Sequence, residues 1–255
     1  MAVRYGAQTP HNREIEATSA KIWSTAVTII WETDPEVIAA VLPPPLEPSE
    51  PLARIRFATV DMGTGIPVFG AGWFGVRARH NGVEGEYPLF MPMTTEQSTI
   101  GGRETFGEPK KIGAVTIERD GDAIVARFAR MGFTVAEFTG RVGEAIEIPV
   151  RDKVDFYFKL SPSPDGKGFD TEPAIVHCRR HEEAREGRAL DGTLTLSESP
   201  LDPIADIPVG NIVSMQFAQV TTTQAAEVVE RVPGDWLLPF VHQRYDDLSV
   251  LGKRD

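Results

Sequence analysis

The chain has 255 residues, 41% of them hydrophobic, and a formal net charge of −11 at neutral pH. That length is within reach of one large domain, and the acidic balance argues against a nucleic-acid partner or an anionic membrane surface. The only cysteine is Cys178, which excludes an intrachain disulfide and fits a reducing compartment. No apolar run reaches the roughly 18 residues of a membrane span, and Met1 to His11 lacks the apolar centre of a signal peptide. The expected location is therefore the cytoplasm.

In chain order, residues 1–20 have no clear period and read as an arm, with one domain over 21–255. His11-Asn12-Arg13-Glu14 in that arm reads as a solvated polar cluster. Trp23 to Trp31 alternates and is rich in Thr and Ile, as a strand does. Thr33 or Asp34 can cap a short helix over Pro35–Leu42, and Pro43-Pro44-Pro45 ends it. Leu52 to Met62 and the glycine-rich Val68 to Ala78 read as strands around a Gly63–Gly65 turn. Asn81-Gly82 is a hairpin signal, with Glu86 to Met93 returning. Thr99 to Glu104 leads into the next turn. Thr116–Glu118 and Ile124–Phe128 flank a tight turn at Asp120-Gly121-Asp122. Phe133–Arg141, Asp152–Leu160, Ala174–His181, Arg188–Leu196 and Ile212–Thr223 read as further strands, with a polar loop over Ser161–Gly168. Pro239 to Leu248 has helical spacing. Many short strands with 23 glycines and 20 prolines predict a mostly β (α+β) fold, an antiparallel barrel or double barrel with few short helices.

One stretch carries chemistry: Gly101-Gly102-Arg103-Glu104-Thr105-Phe106-Gly107-Glu108-Pro109-Lys110-Lys111-Ile112-Gly113. Alone, a Lys-Lys pair reads as solvated surface. Behind a proline that fixes the direction of the turn, and before an apolar run, it also reads as an amine nucleophile in the making. Burial or a second ammonium destabilises the charged form of a lysine and frees the amine to form a Schiff base with a ketone.

The stretch resembles the Gly-Arg-Glu…Pro-Lys-Lys signature of the acetoacetate decarboxylase family. The likeness extends to Glu32-Thr33-Asp34-Pro35, Leu42-Pro43-Pro44-Pro45-Leu46-Glu47, Asn81-Gly82-Val83-Glu84-Gly85-Glu86-Tyr87 and Pro203-Ile204-Ala205-Asp206-Ile207-Pro208-Val209. The resemblance implies a cone-like β-barrel, usually oligomeric, with the first lysine, Lys110, as the Schiff-base residue. It implies Lys111 as the neighbouring ammonium that assists it; the family is itself the standard example of a lysine activated beside a cation. The resemblance also marks departures. The family's arginine before the first helix falls on Ser24, and its two glutamates before the lysine turn fall on Arg56 and Ala71.

Three readings follow. The first is a Schiff-base decarboxylase of a β-keto acid, acting through Lys110 and Lys111. The second is aldol, dehydration or hydrolytic chemistry on a larger keto acid with the same lysine. The third is a binding barrel without catalysis. Arg103, Glu104, Arg56, Glu96 and Glu108 are candidates to contact substrate, and Phe69, Trp73, Phe90 and Met93 are candidate pocket walls. The expected partner is a small-molecule keto acid, with no metal and no organic cofactor, because lysine itself supplies the imine. His177-Cys178-Arg179-Arg180-His181-Glu182 does not read as a zinc site. On a strand its two histidines stand roughly 13 Å apart, and Cys178 faces the other way. The glycines at 63 and 65 do not continue into a dinucleotide fingerprint.

Overall fold

The computed structural model describes residues 5–6, 22–63, 65 and 67–252. The expected arm over 1–20, apart from Tyr5 and Gly6, lies outside the described residues, as does His11-Asn12-Arg13-Glu14. Eleven strands form one sheet. They are β1 (Ile22–Glu32), β2 (Glu47–Asp61), β3 (Phe69–His80), β4 (Val83–Met93), β5 (Lys110–Ile112), β6 (Ala114–Asp120), β7 (Ala123–Arg130), β8 (Phe133–Ala145), β9 (Arg151–Lys159), β10 (Ala174–Leu196) and β11 (Ile212–Arg231). Seven of them run in the order β11-β1-β2-β3-β4-β9-β10, and pairing of β10 with β11 closes the ring. The rim is antiparallel except at the β4–β9 seam, a single parallel pairing of Glu86 with Asp155. Strands β8-β7-β6 continue from β10 as a flap.

Period-two alternation decides what faces what. On β2, Ile55 and Phe57 point outward and are fully buried. They join the main apolar core between the barrel wall and the β6–β8 flap, where the Phe57 and Phe128 rings lie 4.2 Å apart. Arg54, Arg56, Ala58 and Val60 point the other way, into the lumen. The main core is thus outside the ring, and the interior holds a second, smaller apolar cluster around Trp73, Met91 and Tyr157 beside charged groups.

Local signals account for several elements. Asp34 caps α1 (Pro35–Val41) by accepting from the Glu36 amide at 2.8 Å, with Pro35 in the first turn. Asn81 and Gly82 both take positive φ in the β3–β4 hairpin. Two expectations are corrected. The predicted strands 174–181 and 188–196 are one strand, β10, because pairing with β11 carries it through Glu183–Gly187 with a bulge between Ala184 and Glu186, and β8 pairs from Arg188 onward. The helix expected over Pro239–Leu248 is instead a short α3 (Gly234–Leu237), a 3₁₀ turn at Leu238–Gln243, and a second at Leu248–Leu251. Arg244, which helical spacing would place on an amphipathic face, is drawn into the protein and buried.

Candidate active site

The approach to the lysines is a helix, α2 (Glu96–Phe106), lying across one mouth of the barrel. Its paired glycines hide it from propensity, but each end has a physical reason. Gly107 ends it at φ 83, a left-handed position where a Cβ would sit 2.6 Å from the Lys159 amide nitrogen. At Gly102 a Cβ would meet Glu108 Oε2 at 2.0 Å and Lys110 Nζ at 2.6 Å. The helix therefore rests its bare backbone on the lysine amine.

Beneath α2 lies a cavity of about 480 Å³. Phe69, Trp73, Met91, Met93 and Phe106 form its apolar wall. Lys110 enters from β5, which pairs in parallel with β4 through Met91. Its Nζ lies 2.6 Å from Glu108 Oε2. Glu108 is only 2% exposed, and its other oxygen accepts from Arg180 at 3.1 Å. Burial works to raise the Glu108 carboxyl, but Lys110 and Arg180 outweigh it and hold the group below the ordinary glutamate range. Arg180 is fixed by Asp155 at 2.7 Å and donates to the Tyr157 hydroxyl at 2.9 Å. Cys178 is fully buried nearby, and burial pushes its thiol up to about 11, so it stays protonated near neutrality.

Neighbours on a strand point apart, and the two lysines do so. Lys111 turns away from the cavity to Asp202 at 2.9 Å and Asp246 at 3.0 Å. Arg130 completes that cluster by binding Asp202 at 2.8 Å and also pairing with Asp246.

The floor of the cavity is charged. Arg54 lies over the Trp73 ring at 3.7 Å and donates to Glu86 at 2.9 Å. Arg56 and Lys153 converge on one oxygen, Glu182 Oε1, at 3.0 and 3.2 Å. Arg56 also donates to Ser24 at 2.7 Å.

Behind the lysine turn, the segment 243–246 acts as a strap. Arg244 donates to the carbonyls of Gly107 at 2.6 Å, Glu108 at 3.1 Å and Arg103 at 3.1 Å. Gln243 bridges the Val41 carbonyl and the Tyr87 hydroxyl, and Asp246 holds Lys111.

Of the candidate substrate contacts, Arg56 and Glu108 line the cavity. Glu96 and Glu104 do not: both are exposed, one turn apart from Ile100 on the outer face of α2. Arg103 also points outward from the cavity, donating to the Lys110 carbonyl at 2.9 Å and the Arg244 carbonyl at 3.2 Å. Phe69, Trp73 and Met93 line the wall, whereas Phe90 faces the outer core against Phe128, because it alternates with Met91. Sequence reading missed Lys153, Asp155, Arg180 and Glu182. Their signal was Cys178, Arg180 and Glu182 recurring at every second residue opposite His177. That histidine meets His80 at 2.8 Å, and His181 meets Asp152 at 2.8 Å, so the two histidines have separate partners.

The family model for acetoacetate decarboxylase (ADC) matches residues 7–232. The chain belongs to the acetoacetate decarboxylase family. It is 30% identical over 194 residues to an acetoacetate decarboxylase of Chromobacterium violaceum, covering 73% of this chain and 77% of the relative. Its fold is that of the acetoacetate decarboxylase from Legionella pneumophila, with a TM-score of 0.72 and 21% identity over 89% of this chain and 94% of that one. It is also that of the enduracididine biosynthesis enzyme MppR complexed with pyruvate, with a TM-score of 0.71 and 16% identity over 84% and 91% of the two chains. No helix among the described residues is long and apolar enough to cross a membrane.

Proposed function

We propose that this family member is a lysine Schiff-base lyase acting on a keto acid, most simply as a β-keto acid decarboxylase. The observation that carries the reading is the Lys110 amine inside a largely apolar cavity, 2.6 Å from a buried carboxylate. Lys110 attacks the keto carbon as the free amine, and water leaves as the imine forms. The protonated imine then accepts the electron pair of the bond to the carboxylate. Carbon dioxide departs, an enamine remains, protonation of its carbon restores the imine, and hydrolysis returns lysine and a ketone. Glu108 is the counter-ion of the protonated imine and the group placed to take up and return the nitrogen's proton. Lys111 is a structural anchor of β5 in this reading, since its amine is engaged by two carboxylates on the opposite face.

A second reading has one specific support. Arg56 lines the cavity where the family resemblance predicts a glutamate. A guanidinium suits a carboxylate that stays on the substrate, and such a substrate would use the same imine for aldol or dehydration chemistry. A cavity of about 480 Å³ is within the range of much larger ligands than acetoacetate. The single buried Cys178 fits a cytoplasmic setting. Exposed Ile212, Val213, Val228 and Val229 on β11 fit the homo-oligomer that the family implies.

Borohydride trapping tests this. Acetoacetate, pyruvate and longer keto acids are offered to wild type and Lys110→Ala, with peptide mass spectrometry and carbon dioxide release as readouts. A reduced adduct on Lys110 with gas evolved supports decarboxylation. An adduct without gas supports the aldol reading. No adduct from any acid, with the protein folded, leaves a non-catalytic binding barrel.

A further inference from the structure

The lumen holds a second cavity of about 330 Å³, on the far side of the charged floor from Lys110. The two cavities share four residues: Arg54, Arg56, Lys153 and Glu182. Beyond this partition the second cavity is lined by the inward residues of β1 and β11 and by the chain entering β9. Arg77 and Arg151 also line it and are half-buried.

Its charge runs against that of the whole chain. Five basic side chains, Arg54, Arg56, Arg77, Arg151 and Lys153, face three carboxylates, Glu86, Asp152 and Glu182, although the protein carries a net charge of −11. The carboxylates are also committed. Glu86 is taken by Arg54, and Asp152 pairs with His181 on an exposed edge. Glu182 alone serves both Arg56 and Lys153, through one oxygen. Two buried cations share one bonded carboxylate, with Glu86 and Asp155 adding negative charge from further off, so the pair has no full carboxylate each, in a site where low dielectric strengthens its pull on an anion. Burial holds both Arg56 and Lys153 below their ordinary values, with neighbouring cations adding to the effect, consistent with that imbalance.

We propose that the second cavity is an anion site, built for a carboxylate or phosphate group held between the Arg56–Lys153 pair and the Arg77–Arg151 mouth. The group has two possible sources. It is either a free small dianion, or the distal carboxylate of a dicarboxylic substrate whose keto group is at Lys110. The second source rests on the function proposed above, and the first does not.

The test uses the full chain and the double variant Arg77→Ala/Arg151→Ala, which alters only residues outside the lysine cavity. Inorganic phosphate and succinate are titrated by calorimetry. Wild type should bind at least one of them, and the double variant at least tenfold more weakly, with each single variant between. Thermal unfolding of every variant checks that the fold survives. In parallel, Lys110 is trapped with 3-oxoadipate and with the monocarboxylic 3-oxohexanoate. A tenfold preference for 3-oxoadipate in wild type, lost in the double variant, identifies the substrate's own carboxylate as the source. Equal trapping of the two acids, with phosphate or succinate binding intact, identifies a free anion. The proposal is overturned if wild type binds neither anion and shows no preference for 3-oxoadipate, or if the folded double variant behaves as wild type does. Failure of every acid to label Lys110 refutes the proposed function instead, and leaves the titration to stand alone.

Discussion

Arg244 offers the most direct test of how the lysine turn is held. Its guanidinium is 7% exposed and donates to three main-chain carbonyls, those of Gly107, Glu108 and Arg103. Replacing it with methionine keeps much of the volume and removes all three donors. A buried acceptor left without a partner costs about 1–3 kcal/mol. The Arg103 carbonyl still accepts from the Gly107 amide at 3.1 Å, so two acceptors lose their partner, and at the low end they give a loss of about 2 kcal/mol. For a chain of this size that is a fall in melting temperature of roughly 4–8 °C. The same change frees the turn carrying Glu108 and Lys110. A reacting group misplaced by about 1 Å can lose 10²-fold in rate, so borohydride labelling of Lys110 should slow well below the new melting temperature. Arg244→Lys should recover only part of both effects, because an ammonium cannot span three carbonyls. A melting temperature within about 2 °C of wild type, with unchanged labelling, would refute the strap.

Three further outcomes are expected. Glu108→Gln removes the counter-ion of Lys110 and one partner of Arg180, so single-turnover labelling should fall about 10²-fold or more; wild-type rates would sink the assignment. Because Glu108 is held low, its contribution to stability is complete above the ordinary glutamate range and is lost as the pH falls below it. His177 works at a higher pH. Burial and the His80 beside it lower its pKa to about 4, so the folded protein keeps it neutral while the unfolded chain protonates near 6.5. Stability should be full above about pH 6.5 and fall by up to about 3 kcal/mol toward pH 4. Urea midpoints should show a shallower acid slope in His177→Gln, and equal slopes would count against this account. Finally, Lys111→Met breaks a buried cluster and should cost about 3–5 kcal/mol in chemical denaturation. The folded protein should still be labelled on Lys110, and loss of labelling at full fold would restore a direct role for the second lysine.

The barrel was legible because its signals are local. Alternation in Trp23–Trp31, the Asn81-Gly82 hairpin and the Asp34 cap each need only a few residues. Lys110 was legible for the same reason, sitting in one short run with its proline and glycines. What escaped was set by pairing over long distances. Arg180 and Lys153 look like surface charges until β10 and β9 close a ring around them. Helix α2 was obscured because Gly101 and Gly102 are poor helix formers, and only the lysine beneath explains the second of them. The strap was read as a helix because Phe240, Val241, Arg244 and Tyr245 share a helical spacing, while the carbonyls that pull Arg244 inward lie more than 130 residues away.

The departures from the family pattern become intelligible together. The resemblance expects an arginine at 24 and glutamates at 56 and 71, and this chain has Ser24, Arg56 and Ala71. Ser24 and Arg56 lie on adjacent strands, and the Arg56 guanidinium reaches back to the Ser24 hydroxyl at 2.7 Å. A cation is therefore kept beside position 24, supplied from β2 instead of β1. The carboxylate lost from β2 has a counterpart in Glu108, two residues before Lys110 and fixed by Arg180. A site that was simply decaying would leave such charges unpaired and exposed to the several kcal/mol that a buried lone ion costs. Here Glu108 is matched on both oxygens by Lys110 and Arg180, and Arg56 holds the Ser24 hydroxyl and shares the Glu182 carboxylate with Lys153. That degree of compensation fits a site rebuilt for a different keto acid better than one abandoned.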